Sequence, residues 1–378
     1  MNPIKIWLSS PHMGGTELKY IHEAFDTNWV APLGPNVTEF EKSLEHFLGN
    51  SVHVAALSSG TSAIHLALIL SGVKAGDEVI CQSMTFSASA NPILYQGAIP
   101  VFIDSELDTW NFCPKALEEA IVDRISKGKK PKAIIGVHLY GMPFKVDEVL
   151  AIAKQYDIPL IEDAAEAIGS TYKGQRCGTF GDFGILSFNG NKIITTSGGG
   201  ALVCKSIEFK EKTVFYATQS RDNAPHYQHS AIGYNYRMSN ICAGIGRGQM
   251  EVLTDRVESR RKNQEFYSNL FENINGIYVH KEPNAQFFSN HWLSAIIIEE
   301  AKTGFNREDL RKFFLEYQIE TRPLWKPLHM QPIFSDAPYY GTKVAEELFE
   351  NGLCLPSGSN LSMEEKQTIK DLFQKFSA

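Results

Sequence analysis

The chain has little with which to bind a metal, cross a membrane or grip a polyanion. Its 378 residues include six cysteines, Cys81, Cys113, Cys177, Cys204, Cys242 and Cys354, which stand far apart and form no CxxC pair. They read as reduced, mostly packing residues of a cytoplasmic protein. The histidines show no metal-ligand spacing, so no metal site is expected. No apolar run approaches membrane-spanning length, and the opening MNPIKIWLSS lacks the apolar core of a secretory signal. A net charge of −7 argues against a nucleic-acid or anionic-membrane surface, while leaving room for a local basic pocket around a small anion. There is no internal repeat, low-complexity tract or disordered linker. No GxGxxG follows a strand, which disfavours a nicotinamide site. The stretch GIGRG at residues 244–248 falls in a helix-like segment, where small residues permit close packing.

What is present is the composition of a soluble globular protein, 43% hydrophobic and 21% charged, long enough for a large domain and a smaller one. Between residues 50 and 205 short apolar runs alternate with helix-like segments. VHVAAL precedes TSAIHLALILSG, DEVICQ precedes SASANPILYQG, and IPVFID precedes PKALEEAIVDRI. KAIIGVHLYG, VDEVLAIAKQYD and IPLIEDAA continue the pattern. Such alternation predicts an α/β fold with a mainly parallel sheet covered on both faces. Ligands of such sheets sit at the carboxyl ends of the strands, where the polar clusters of this chain fall. After ALVCK the pattern changes. QMEVLTDRVESRRKNQEFYSNLFENI reads as one long amphipathic helix. It leads to a strand-like WLSAIIIE, a helix NREDLRKFFLEYQ and a closing helix SMEEKQTIKDLFQKFS. The division expected is a large domain over residues 1–250 and a smaller α+β domain over 251–378.

Four polar clusters lie at predicted strand ends. In ALSSGTSAIHL a strand ends at Leu57 and a helix begins among Ser58, Ser59, Gly60, Thr61 and Ser62. These residues serve either as simple caps or as a phosphate cradle at the positive end of the helix dipole. In IPLIEDAAEAIG, Asp163 stands at the carboxyl edge of the sheet and Glu166 can share a face with it. Asp163 either caps the next helix or holds a pyridinium N–H by a charge-assisted hydrogen bond. In GILSFNGNK, Ser187 is near a strand end and Lys192 follows in a turn. Lys192 is either a solvated charge or an amine able to form a Schiff base. In QSMTFSASAN, Phe86 is either a core residue or a cover for a flat ring. Taken together, the clusters offer a phosphate cradle, an aromatic cover, a carboxylate for a ring nitrogen and an amine for an aldehyde. Those are the demands of pyridoxal 5'-phosphate.

The segments ALSSGTSAIHLAL, TFSASANPILYQGAIPVFID, EDAAEAIGSTYKG, SFNGNK, GYNYRMSN and ETRPLWKPLHMQP resemble the DegT/DnrJ/EryC1/StrS sugar-nucleotide aminotransferases, from about residue 8 to about residue 360. The resemblance implies a fold-type I pyridoxal phosphate enzyme, a homodimer with active sites at the subunit interface. By motif it makes Lys192 the Schiff-base lysine and Asp163 the partner of the pyridine nitrogen. Glu166 falls where many members carry Gln or His near the ring hydroxyl. Gly60, Thr61, Ser62 and Ser187 would hold the phosphate, and Phe86 would stack on the ring. Asn235 would reach the phosphate of the neighbouring subunit, and Arg237 would face its substrate. Arg322, Lys326 and His329 are candidates for the acceptor, and Trp29 and Gly34 for a segment closing over the sugar or bracing the dimer.

Many members read TTGEGG after the lysine, where this chain reads TTSGGG. That variant, with the N-terminal segment and RPLWKPLHMQP, resembles the bacillosamine-pathway branch. The branch implies L-glutamate as donor and a UDP-4-keto-6-deoxy-N-acetylhexosamine as acceptor. Transfer to C3 or with opposite stereochemistry remains open within the family. Lys192 disfavours the dehydratases that carry His there. A regulator that keeps the fold and cofactor would show a lost lysine or an appended DNA-binding segment, and the chain has neither.

Overall fold

The structure, a computed structural model, describes residues 4–377. Eight strands form the main sheet, in the spatial order 53–57, 200–204, 183–187, 160–163, 133–137, 78–82, 99–103 and 339–340. Strand Gly200–Cys204 pairs antiparallel with both neighbours, His53–Leu57 and Phe183–Ser187. All the other pairings are parallel, from Phe183–Ser187 across to Tyr339–Tyr340. The mainly parallel sheet expected from the alternation is therefore present. Its central strands are buried along their whole length, as helix-covered parallel strands must be, and their polar residues Glu78, Gln82, Glu162 and Asp163 stand at or next to strand ends.

The crossover helices begin as the sequence indicates. Gly60–Leu70 is capped by Ser59, whose hydroxyl accepts the Ser62 amide, and Pro114–Ser126 carries its proline in the first turn. Val146–Gln155 buries Val146, Val149, Ile152 and Ala153, one face at helical spacing.

The expected single long helix is in fact two, Asn240–Glu251 and Leu253–Phe271, broken at Val252 (φ −113°, ψ 7°). The break lets the first helix pack on Glu17–Asp26 and Pro35–Leu48, while the second crosses to a separate sheet. The glycines of GIGRG pack closely, as expected. A Cβ at Gly246 would stand 2.7 Å from the Phe40 ring, and one at Gly248 would stand 2.8 Å from the Glu17 backbone nitrogen.

The second sheet is antiparallel, in the order 277–279, 294–298, 352–355 and 322–323. It packs with helices Arg307–Glu316 and Met363–Ser377 around a core that includes Tyr267, Phe271, Leu310, Phe314, Ile369 and Phe373. Asn306 caps the first of these helices in a reciprocal capping box with Asp309. Two segments cross the division expected at residue 250. Ile6 bridges to Ile319, and Tyr339–Tyr340 adds itself to the edge of the main sheet beside Phe102 and Ile103. Among the described residues no helix is long and apolar enough to cross a membrane.

Candidate active site

At the carboxyl ends of the parallel strands lies a cavity of about 220 Å³. Seven of the residues expected from the sequence line it: Gly60, Thr61, Phe86, Asp163, Glu166, Ser187 and Lys192.

The strand Leu160–Asp163 places two carboxylates side by side in sequence and on opposite faces in space, because side chains alternate along a strand. Glu162 turns away from the cavity, where Oε2 accepts the amides of Phe180 (3.1 Å) and Gly181 (3.3 Å) and Oε1 that of Gly178. Asp163 turns into the cavity. One oxygen accepts the Ser89 hydroxyl at 2.7 Å, and the other accepts the Ala165 amide at 3.2 Å. Thr85 in turn hydrogen-bonds Ser89. Asp163 is only 5% exposed, and no described side chain forms an ion pair with it. A buried carboxylate without a cationic partner is costly, so the site is built to receive a cationic or N–H-bearing group there.

Lys192 sits in the connection between strands Phe183–Ser187 and Gly200–Cys204. Its amide donates to Asn189 O, and the Thr196 amide returns to Phe188 O. The lysine Nζ stands 3.5 Å from Glu166 Oε1, and the other Glu166 oxygen accepts the Tyr140 amide at 2.7 Å. Burial pushes the Glu166 carboxyl above its usual range, against the pull of Lys192.

The third wall is the start of helix Gly60–Leu70. Ser59 satisfies the Ser62 amide, and the amides of Gly60 and Thr61 have no protein acceptor among the described residues. They stand at the positive end of the helix dipole, next to Ser187, and suit an anion. Ser62 lies behind this wall, its hydroxyl shared with Ser58 and Ser59, and stabilises the cradle without lining it. The donor set fits pyridoxal phosphate: free amides for phosphate, an unpaired carboxylate for a pyridinium, an amine for an aldehyde. Phe86, 53% exposed at the mouth, supplies a flat cover.

The lining residues that were not anticipated include two tryptophans. Trp325 stands 5.4 Å from Phe86 between ring centroids, and Trp292 lies beneath Lys192, with its ring centroid 4.2 Å from Nζ. Both come from the second half of the chain. Trp325 is contained in RPLWKPLHMQP, but nothing local to Trp292 marks it.

The remaining expected residues are not brought to the cavity. Arg237, expected to face a sugar nucleotide, turns into its own chain, where it pairs with Glu41 and donates to Ala56 O at 2.8 Å. A buried carboxylate beside the strand end captures the guanidinium. His329 is likewise engaged: its ring nitrogens meet Ser83 Oγ (2.7 Å) and Glu346 (3.3 Å), and its ring stacks on Tyr339. It joins the two halves of the chain. Gly34 adopts φ +147°, and a Cβ there would meet the Asn240 side chain at 2.6 Å, so close packing explains the glycine. Trp29, Asn235, Arg322 and Lys326 are exposed outside the cavity, with Arg322 paired to Glu320.

Comparison with known proteins accounts for this arrangement. The model of the DegT/DnrJ/EryC1/StrS aminotransferase family matches residues 11–374. The chain belongs to that family. It is 52% identical over 369 residues to EpsN of Bacillus subtilis (strain 168), whose name places it among the pyridoxal phosphate-dependent aminotransferases; the match covers 97% of this chain and 94% of EpsN. It is 38% identical to the GDP-perosamine synthase of Escherichia coli O157:H7, over 97% of each chain. The crystal structure of a DegT DnrJ EryC1 StrS aminotransferase from Brucella abortus superposes with a TM-score of 0.89 at 30% identity, covering 96% of this chain and 95% of the other. The protein is thus a pyridoxal phosphate-dependent sugar aminotransferase, as the sequence motifs imply.

Proposed function

We propose that the protein transfers an amino group from L-glutamate to C4 of a UDP-4-keto-6-deoxy-N-acetylhexosamine. The products are UDP-4-amino-4,6-dideoxy-N-acetylglucosamine and 2-oxoglutarate, made in the cytoplasm for a surface glycan or glycoprotein sugar. The observation that carries the aminotransferase chemistry is the pairing, in one cavity, of Lys192 with the unpaired buried carboxylate of Asp163.

When bound, pyridoxal phosphate supplies an aldehyde for the amino group and a ring that takes up electrons. Lys192 would hold its aldehyde and, as a free amine, would take the proton from the glutamate α-carbon. In the second half-reaction Lys192 delivers a proton to the sugar carbon. Asp163 keeps the ring nitrogen protonated, with Ser89 and Ala165 holding the carboxylate in place. Gly60, Thr61 and Ser187 would receive the phosphate, Phe86 would cover the ring, and Glu166 would lie near the ring hydroxyl.

The TTSGGG sequence, the N-terminal segment and the bacillosamine-type motifs support the UDP-linked acceptor. The 38% identity to a GDP-perosamine synthase favours a second reading, a GDP-linked 4-keto sugar. In either case Lys326 is an exposed cation beside the lining residue Trp325, available to a diphosphate.

Reduction of the holoenzyme with borohydride should link the cofactor to the peptide containing Lys192, and Lys192→Ala should abolish both linkage and turnover. Linkage at another lysine would overturn the site. Incubation with glutamate and UDP-, GDP- and TDP-linked 3- and 4-keto sugars should yield a 4-amino UDP-sugar by product NMR. Exclusive amination of a GDP- or TDP-sugar would move the nucleotide assignment and leave the aminotransferase chemistry standing.

A further inference from the structure

Lys192 has a neighbour that the motifs do not explain. The Trp292 ring is 1% exposed and lies 4.2 Å from Nζ, within cation–π range. Its position is fixed on every side. The indole N–H donates to Asn191 O at 2.7 Å, tying the ring to the residue that precedes the lysine. Its backbone amide donates to Asn290 Oδ1 at 2.8 Å. Its carbonyl accepts from Arg260, which also reaches Lys192 O at 3.4 Å and Ser9 Oγ at 2.9 Å. Arg260 is fully buried on helix Leu253–Phe271, and burial and Arg256 work against its charge. The buried guanidinium is held by the carbonyls of three separate segments, those of Trp292, Ser357 and Lys192, so it ties the tryptophan to the lysine's loop.

We propose that Trp292 is a positioning residue for Lys192, its indole face holding the free ammonium near the reacting carbon whenever the lysine is released from the cofactor. The inference rests on Lys192 being the cofactor-binding lysine. The logic is chemical. A released lysine must stay close and must still give up its proton. A fully formed buried ion pair would hold that proton firmly. An aromatic face attracts the cation more weakly, and it attracts without a titratable group of its own. The other charged groups around the amine are Glu166, whose Oε1 pairs with Nζ at a long 3.5 Å while its Oε2 accepts the Tyr140 amide, and Asp163, which lines the same cavity. Arg260 approaches the lysine only at its backbone carbonyl.

The test uses the full-length apoprotein and reads the lysine directly. Competitive labelling with acetic anhydride across pH, followed by peptide mass spectrometry, gives the pH at which Lys192 becomes reactive. Losing the indole face in Trp292→Leu should lower the lysine's protonation constant about three- to thirtyfold and move the labelling profile to lower pH. A purely structural role predicts the opposite sign. A smaller side chain would admit water, favour the ammonium and move the profile to higher pH. Should the leucine variant fail to fold, fluorinated tryptophan can be incorporated into the wild-type chain. It retains shape and the N–H bond to Asn191 while weakening the ring's attraction, and it should also move the profile to lower pH. An unchanged or upward-moving profile in the folded protein overturns the proposal. Borohydride mapping to another lysine would instead overturn the functional reading, whatever Trp292 does.

Discussion

At the residue scale, Asp163 was legible because it ends a short apolar strand, and Lys192 because it lies in the turn a few residues beyond another. Trp292 was not legible. It reaches Lys192 from a hundred residues along the chain, through the packing of helix Leu253–Phe271 and the loop before strand Ser294–Ile298, and no local pattern encodes that approach. The pairing of Arg237 within its own chain was hidden for a related reason, since its buried partner Glu41 belongs to a distant helix. His280 was likewise silent in the sequence. It stacks on Trp110 at 3.9 Å, and its Nε2 lacks a partner. Burial, with a contribution from His291, pulls its pKa down to about 3. The neutral ring is therefore favoured in the folded chain, while the unfolded chain binds a proton near pH 6.5. The stability this contributes is present above that value and is lost as pH falls toward 3. His280→Phe, which keeps a stacked ring and cannot charge, should flatten the acid side of the stability profile. Between these pH values the wild type should lose about 1.4 kcal/mol per pH unit more than the variant, read from urea midpoints. Parallel profiles would show that His280 takes up its proton without unfolding cost.

At the element scale, the crossover helices and the strands followed from periodicity and caps, whereas the break at Val252 did not. No Gly or Pro marks it. Two different packing surfaces pull the halves apart, the N-terminal helices on one side and the antiparallel sheet on the other. The small residues of GIGRG show the same tertiary demand in readable form. Alanine at an exposed helical glycine normally stabilises by about 1 kcal/mol. At Gly248 the new methyl would press on the Glu17 backbone, which cannot swing aside as a flexible side chain would. Glu17 itself accepts the amides of Gly14 and Gly15 and the Gln249 side chain, so the whole N-terminal turn resists the shift. Gly248→Ala should therefore destabilise by about 1–3 kcal/mol, the usual range for overpacking. Thermal unfolding checks the sign, and a stabilised variant would show that the helix pair relaxes freely.

At the scale of the whole molecule, contacts cross the division expected at residue 250. Asp104, at the end of strand Ile99–Ile103, accepts the amides of Thr342, Val344 and Ala345 and so caps helix Val344–Asn351 from across the division. Such reciprocal capping cannot be read from either segment alone. The molecule also presents a surface it does not cover. Phe25, Trp29, Val30 and Leu33 are exposed in one stretch, and Tyr227 and Ile232 are exposed in the segment that leads to Asn235. A contiguous run of exposed apolar residues such as 25–33 is a candidate interaction surface. These residues fit the homodimer that the family motifs imply, in which the exposed Asn235 would reach the neighbour's phosphate site. Lys192→Ala and Asn235→Ala subunits should each be inactive alone, because every site in either homodimer lacks one residue. After subunit exchange, an equal mixture should regain about a quarter of the wild-type rate. Half of the dimers are then mixed, and each mixed dimer has one site with both residues intact. The measurement is turnover before and after exchange, with mixed dimers counted by mass spectrometry. Mixed dimers without recovered activity would mean that Asn235 serves its own chain, and the exposed apolar stretch would then brace the dimer without sharing the site.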